Sequence, residues 1–145
     1  MSDRPVLLDS DTLSELSRGR AAVVDRTRTY LERHGRLTVS AVTVFERLRG
    51  YRAAIARGSQ LEPQLRQFEA LAKACVVLPV DDQVADVAAT IWAHVGTRLR
   101  RSLGDILIAA TASVYGLPLV TRNRRDFGRM ATLDGVNLTL RDWTK

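Results

Sequence analysis

The chain is poor in the residues that most often mark a reactive centre. It has one cysteine, Cys75, two histidines, and only two lysines, Lys73 and Lys145, among its 22 basic residues. A single cysteine excludes an internal disulfide and a multi-cysteine zinc site. Beside Val76 and Val77 it reads as a small buried hydrophobe. His34 and His94 follow helical patterns and lack a partner motif, which argues against imidazole catalysis. No stretch reaches the roughly 18 to 20 uninterrupted apolar residues of a membrane span. The opening Met1-Ser2-Asp3-Arg4-Pro5 has neither the basic segment nor the apolar core of a signal peptide. The expectation is a cytoplasmic protein with no membrane partner. Repeats, low-complexity tracts and Gly/Ser-rich linkers are also missing, so the 145 residues read as one domain, 1–145.

What the chain has is arginine and apolar residues. Its 46% hydrophobic content is that of a globular protein able to bury a core. The formal net charge of +6 is carried almost wholly by arginine. Guanidinium forks match phosphate geometry, which suits a polyanionic partner. A GC-rich genome would give the same composition. Arg47, Arg49, Arg100 and Arg101 are candidate contacts to a nucleic acid.

Short apolar runs alternate with amphipathic stretches. Val6 to Leu8 reads as a first strand, followed by a short helix from about Thr12 to Arg18. Ala21 to His34 reads as helical, with Val24, Tyr30 and Leu31 facing the core and Gly35 as the stop. Leu37 to Ser40 is a second strand, and Val42 to Arg57 and Leu61 to Lys73 are helices, the latter with Pro63 in its first turn. Val76 to Val80 is a third strand, and Asp82 to Leu99 one long helix with Trp92 on its apolar face. Asp105 to Tyr115 is a strongly apolar helix closed by Gly116. Leu119 to Thr121 is a fourth strand, with a short fifth near Leu138 to Leu140. Trp92 and Trp143 read as packing anchors. Alternation of this kind implies βαβ units and a parallel sheet covered on both faces.

Four acids stand at telling points on this frame. Asp9 directly follows the first strand, where α/β sheets carry their sites. Glu46 lies in the first turns of the helix after strand two, Asp105 begins the apolar helix, and Asp126 follows strand four. In a parallel sheet these points can face one edge. Clustered carboxylates suit a hard divalent cation, Mg²⁺ or Mn²⁺, which can activate water and stabilise an in-line attack on a phosphodiester. Each acid also has a structural reading. Asp105 can cap its helix, Glu46 can pair with Arg49, and Asp126 can be a solvated loop acid. Asp81 reads as the cap of the helix that follows it.

The segments that hold these acids resemble the motifs of the PIN-domain ribonucleases, in particular the VapC toxins of VapBC toxin–antitoxin pairs. Leu7-Leu8-Asp9-Ser10-Asp11-Thr12 resembles the opening motif and Glu46-Arg47-Leu48-Arg49-Gly50 the second. Asp105-Ile106-Leu107-Ile108-Ala109-Ala110-Thr111-Ala112 resembles the third, and Thr121-Arg122-Asn123-Arg124-Arg125-Asp126-Phe127 the fourth. Leu140-Arg141-Asp142-Trp143 resembles the usual ending. The resemblance implies a three-layer α/β/α sandwich with a central parallel sheet of four to five strands. It implies a Mg²⁺- or Mn²⁺-dependent endoribonuclease that hydrolyses RNA with metal-activated water and no covalent intermediate. By motif match Asp9 and Asp105 are the metal ligands, and Glu46 and Asp126 complete the catalytic acids. Asn123 is the alternative occupant of the fourth position, and Thr121 can orient a water or a carboxylate. The implied partners are an RNA substrate, a VapB-type antitoxin and a second copy of the chain. Leu13, Leu16, Val44 and Leu48 are candidates for the partner surfaces.

Two positions depart from the family pattern. Asp11 stands where relatives usually carry Asn, and Leu103 where many carry a further acid. The extra Asp11 carboxylate either tightens metal binding or raises a neighbour's pKa. A phospho-aspartate mechanism is disfavoured, because Thr12 directly follows Asp11 and no lysine stands near a later strand end. The remaining alternative is a catalytically inactive PIN-fold module that binds RNA or protein.

Overall fold

A computed structural model describes residues 4–145; residues 1–3, which include part of the opening segment read for targeting signals, lie outside the described residues. The elements run β1 (Leu7–Leu8), α1 (Ser10–Ser17), α2 (Ala21–His34), β2 (Thr38–Ser40), α3 (Ala41–Ala56), α4 (Glu62–Ala74) and β3 (Val76–Leu78). They continue with α5 (Asp82–His94), α6 (Thr97–Arg100), α7 (Leu103–Tyr115), β4 (Leu119–Val120), α8 (Arg124–Ala131) and β5 (Leu140–Arg141). The five strands form one sheet in the order β3-β2-β1-β4-β5, and every pairing is parallel. Helices cover both faces, giving three α/β/α layers.

Alternation along β1 explains the layers. Leu7 belongs to the core under α5, α7 and α8, with Ile91, Ile106, Ile108 and Phe127. Leu8 points the other way, into the core of Leu13, Val23, Tyr30, Phe68 and Trp143. Successive strand residues face opposite sides, so a strand buried on both faces is apolar throughout. The start of β1 is tied down by Tyr30, whose hydroxyl accepts a hydrogen bond from the Val6 amide at 3.1 Å. Tyr30 also packs on Trp143, with ring centroids 5.6 Å apart.

The strand order places the site. The chain leaves β1 for β2 on one side and returns to β4 on the other, so the direction of winding reverses between β1 and β4. Crevices at such a switch point open at the carboxyl ends of the strands. Register pairs Leu8 with Val39 and with Val120, which levels Asp9 with Ser40 and Thr121 at that edge.

Several sequence expectations are corrected. The segment Asp82 to Leu99 is two helices, parted at Val95 and Gly96. Trp92 is 42% exposed, with the Arg100 guanidinium over its ring, and does not anchor the core. Helix α2 buries Val23, Thr27 and Tyr30, and leaves Leu31 exposed. The third strand is an edge strand with Val76 and Val77 exposed. Helix α8 occupies a stretch read as loop, held by Phe127 and Met130, both buried. Leu13 is core, and Leu16, Val44 and Leu48 pack against the same cluster, so these four do not form an open partner surface. Asp81 caps α5 as expected, accepting from the Val84 amide at 2.9 Å, and Cys75 is buried.

Candidate acidic centre

The first acid is built by a helix start. Asp9 is extended, and its carboxylate accepts from the Thr12 amide at 2.8 Å, making it the N-cap of α1. Such a cap satisfies one of the free amides of the first turn and is worth about 1 kcal/mol. The Asp9 amide donates to Val120, and the Thr121 hydroxyl donates to the Asp9 carboxylate. Asp9 is thus fixed from both sides of the β1–β4 crevice. Burial pushes its carboxyl above the ordinary value, against the hydrogen bonds from Thr121 and Thr12.

Glu46 reaches the same edge from α3. Its Oε1 accepts from the Ser10 hydroxyl at 2.7 Å, and Ser10 also contacts Thr43 at 3.2 Å. The expected pairing with Arg49 does not form; the Arg49 guanidinium lies over Phe45 instead. Glu46 Oε2 lies against Gly104, where a Cβ would fall well inside van der Waals distance. Glycine therefore lets the first turn of α7 approach α3 closely.

Asp105 sits in that first turn, three positions in rather than at the cap. Burial is the largest influence on it, followed by the charges of Glu46, Asp9, Asp126 and Asp11. Together they push its carboxyl from 3.8 up to about 6. The structure thus brings Asp9, Glu46, Asp105 and Asp126 into one electrostatic neighbourhood.

Asp126 and Asn123 share the fourth position. Asn123 caps α8 by accepting from the Asp126 amide, and its side-chain amide donates to Asp126 Oδ2 at 3.2 Å. Thr121 Oγ1 accepts from the Asn123 amide at 3.0 Å. Burial alone would raise Asp126. The Asn123 amide and the Arg98 guanidinium outweigh it and hold the carboxyl below the ordinary range. Arg98 Nη1 lies 2.8 Å from Asp126 Oδ1 but off the hydrogen-bonding angle, so the buried Oδ1 is compensated in charge while accepting no hydrogen bond.

Asp11 faces another way. Arg122 grips it with two nitrogens and reaches on to Glu15 at 2.9 Å. Arg18 and Arg20 also pair with Glu15. Asp11 is therefore neutralised by its own arginine and contributes only a minor charge to Asp9 and Asp105. Sequence reasoning missed Ser10, Gly104, Arg98 and Arg122. Of these only Ser10 carried a signal, through its place between two motif acids.

Among the described residues no three acids or imidazoles stand close enough to form a ready metal cage. The arrangement fits a cation that uses one or two direct carboxylates and completes its shell with water, as Mg²⁺ does. The unspent, buried Oδ1 of Asp126 and the charge crowding at Asp105 both favour such an ion.

A parallel α/β/α sandwich with carboxylates gathered at its switch point defines an α/β domain with an acidic crevice. The PIN domain family model matches residues 6–133, and the chain belongs to that family. Solved structures agree. VapBC-1 from nontypeable Haemophilus influenzae is similar at 26% identity and a TM-score of 0.72, covering 98% of this chain and 100% of that one. A DNA-bound VapBC from Salmonella typhimurium has 24% identity and a TM-score of 0.72, with 96% and 98% of the two chains covered. VapBC2 from Rickettsia felis, bound to a promoter DNA fragment, has 16% identity and a TM-score of 0.72 over 97% and 99%. No curated protein sequence matches the chain. PIN domains of this type are nucleases. Among the described residues no helix is long and apolar enough to cross a membrane.

Proposed function

We propose that the chain is a single PIN domain, 1–145, acting as the toxin of a VapBC-type pair and as an endoribonuclease that depends on Mg²⁺ or Mn²⁺. The observation that carries this reading is the environment of Asp105. A carboxyl pushed up to about 6 by burial and by other acids marks a centre short of positive charge. A divalent cation, when bound there, would supply that charge and the Lewis acidity that phosphodiester hydrolysis needs.

The residues of the chain do the rest. Asp9 and Asp105 would hold the ion, with Thr121 and the α1 cap fixing Asp9. Ser10 occupies Glu46 Oε1, leaving Oε2 to take a proton from the attacking water. Asn123 aims Asp126 from its N-cap position. The arginine-rich surface draws in RNA phosphates.

Partners follow from the same features. A centre short of positive charge can also be filled by an arginine from a VapB-type antitoxin. A groove of about 350 Å³ runs beside Glu46, walled by Phe45, Val80, Leu103 and Leu107. Phe45 is 59% and Leu103 51% exposed, on the same side as the exposed Val80. Large apolar side chains left open together mark an interaction surface, and we assign this one to a homodimer. The chain acts in the cytoplasm, where its RNA substrates are.

The test is cleavage of structured and unstructured RNA by antitoxin-free protein, with Mg²⁺, with Mn²⁺ and with EDTA. Wild type is compared with Asp9→Asn, which keeps the α1 cap while removing the charge. Metal-dependent cutting by wild type and none by the variant is expected. Cutting that survives the substitution, with contamination excluded, would refute the site. No cutting by folded wild type across a broad panel would favour the inactive binding module.

A further inference from the structure

Arg98 was not among the arginines that sequence suggested for RNA. Its position is unusual in three respects. It pairs with Asp126 at 2.8 Å, inside the acid neighbourhood. The pair is asymmetric: the Asp126 side chain is 13% exposed and that of Arg98 50% exposed. The acid is therefore fixed by its surroundings, and the guanidinium is the partner that can leave. The contact also lacks hydrogen-bond alignment, so Asp126 Oδ1 keeps its lone pairs unspent. A bidentate Arg–carboxylate pair would have used them, as Arg122 does on Asp11.

Local structure supports a movable guanidinium on a fixed base. Arg98 lies in α6, a short helix between Gly96 and Ser102. The next residue, Leu99, is buried in the core and anchors the turn. The side chain thus pivots from an anchored backbone at the rim of the centre. A divalent cation entering beside Asp126 brings the charge that Arg98 otherwise supplies and repels the guanidinium. An RNA phosphate arriving at the same rim offers it a bidentate partner.

We propose that Arg98 is a substrate-phosphate ligand held in reserve on Asp126, released when a divalent cation held by Asp9 and Asp105 brings its charge beside that carboxylate. The inference rests on the metal-dependent reading above. It differs from a structural role for Arg98, in which the pair simply holds Asp126 in place and its loss weakens metal binding.

The test uses the full chain free of partner, with Arg98→Met, which keeps most of the apolar stem and removes the charge. Mn²⁺ affinity is measured by calorimetry without RNA. The variant should bind Mn²⁺ about five- to tenfold more tightly than wild type, because a competing cation is gone. Anisotropy of a labelled single-stranded RNA is then followed by stopped flow, before cleavage, across a salt series. With Mn²⁺ the slope of log affinity on log salt should fall by about 0.7 in the variant, one phosphate contact, and without Mn²⁺ it should not change. Unchanged or weaker Mn²⁺ binding in Arg98→Met overturns the proposal and leaves Arg98 a structural partner. An equal loss of salt slope with and without metal also overturns it, since Arg98 would then be free at all times. Wild type that binds no Mn²⁺, with Asp105→Asn as the control, refutes the metal-centre reading itself.

Discussion

Replacing Asp105 with Asn should stabilise the metal-free protein while abolishing its activity. The acid is pushed from 3.8 up to about 6, first by burial and then by Glu46, Asp9, Asp126 and Asp11. Because the folded pKa is the higher one, the folded chain holds more protons than the unfolded chain between about pH 4 and 6. Stability associated with this group is therefore greatest below pH 4 and is lost as the pH rises through 6. The full difference corresponds to about 3 kcal/mol at neutral pH. Asp105 is only partly shielded, and solvent screening reduces the figure to about 1–2 kcal/mol. Asn removes the charge, keeps the shape and adds a donor facing carboxylates. Urea unfolding in EDTA should show the variant more stable than wild type by that amount at pH 7.5, equivalent to about 3–6 °C in Tm. At pH 4 the advantage should vanish. Saturating Mn²⁺ should reverse the order at pH 7.5, because only wild type gains from ligand binding. A variant no more stable than wild type in EDTA at pH 7.5, or an advantage undiminished at pH 4, would refute the reasoning.

Gly104→Ala places a methyl group against Glu46 Oε2, the end of a flexible side chain, so it should cost less than about 1 kcal/mol of stability. It displaces the acid, and kcat should fall at least about tenfold with Tm nearly constant; normal turnover would show that the close approach of α7 to α3 is unimportant. Tyr30→Phe strands the Val6 amide and should cost about 1–2 kcal/mol in denaturant unfolding, with metal affinity unchanged; a neutral effect would mean that water replaces the hydroxyl. Asp11→Asn should change Mn²⁺ affinity by less than about threefold in calorimetry, since Arg122 already neutralises that carboxylate. A loss above about tenfold would make Asp11 a ligand.

The frame of the molecule was legible because both of its signals are local. Strands buried on two faces are uninterrupted apolar runs, and Leu7, Val39, Leu119 and Val120 read that way. The acids were legible for the same reason, since each stands a few residues from a run. What was hidden depends on partners far apart in sequence. Helix α8 has only Phe127 and Met130 to bury, and its six other polar or small residues in Arg124–Ala131 mask the period. Nothing in an arginine-rich chain tells that Arg98 meets Asp126 or that Arg122 meets Asp11, because those pairings arise from the closing of α6 and α1 around the β4 end. The role of Gly104 exists only once α3 and α7 are packed.

Two of the candidate site residues also have a structural duty. Asp9 caps α1, and Asn123 caps α8 while holding Asp126. Both helices begin where a strand has just ended, so the residue that must satisfy free helix amides stands at the edge where the crevice opens. A carboxylate there has hydrogen bonds that fix it and favour its charge. Asp105, inside a first turn and with no side-chain hydrogen bond among the described residues, has only the helix dipole to favour its charge. Burial raises both carboxyls, but Asp9 has hydrogen bonds from Thr121 and Thr12 that work against the rise, whereas at Asp105 the charges of Glu46, Asp9, Asp126 and Asp11 add to it. That contrast explains the choice of substitutions: Asn at position 9 preserves a cap, whereas Asn at position 105 relieves a strain. Burial raises both carboxyls, so Asn should relieve charge at each, and a clearly smaller gain in stability at position 9 than at position 105 would separate the capping acid from the crowded one.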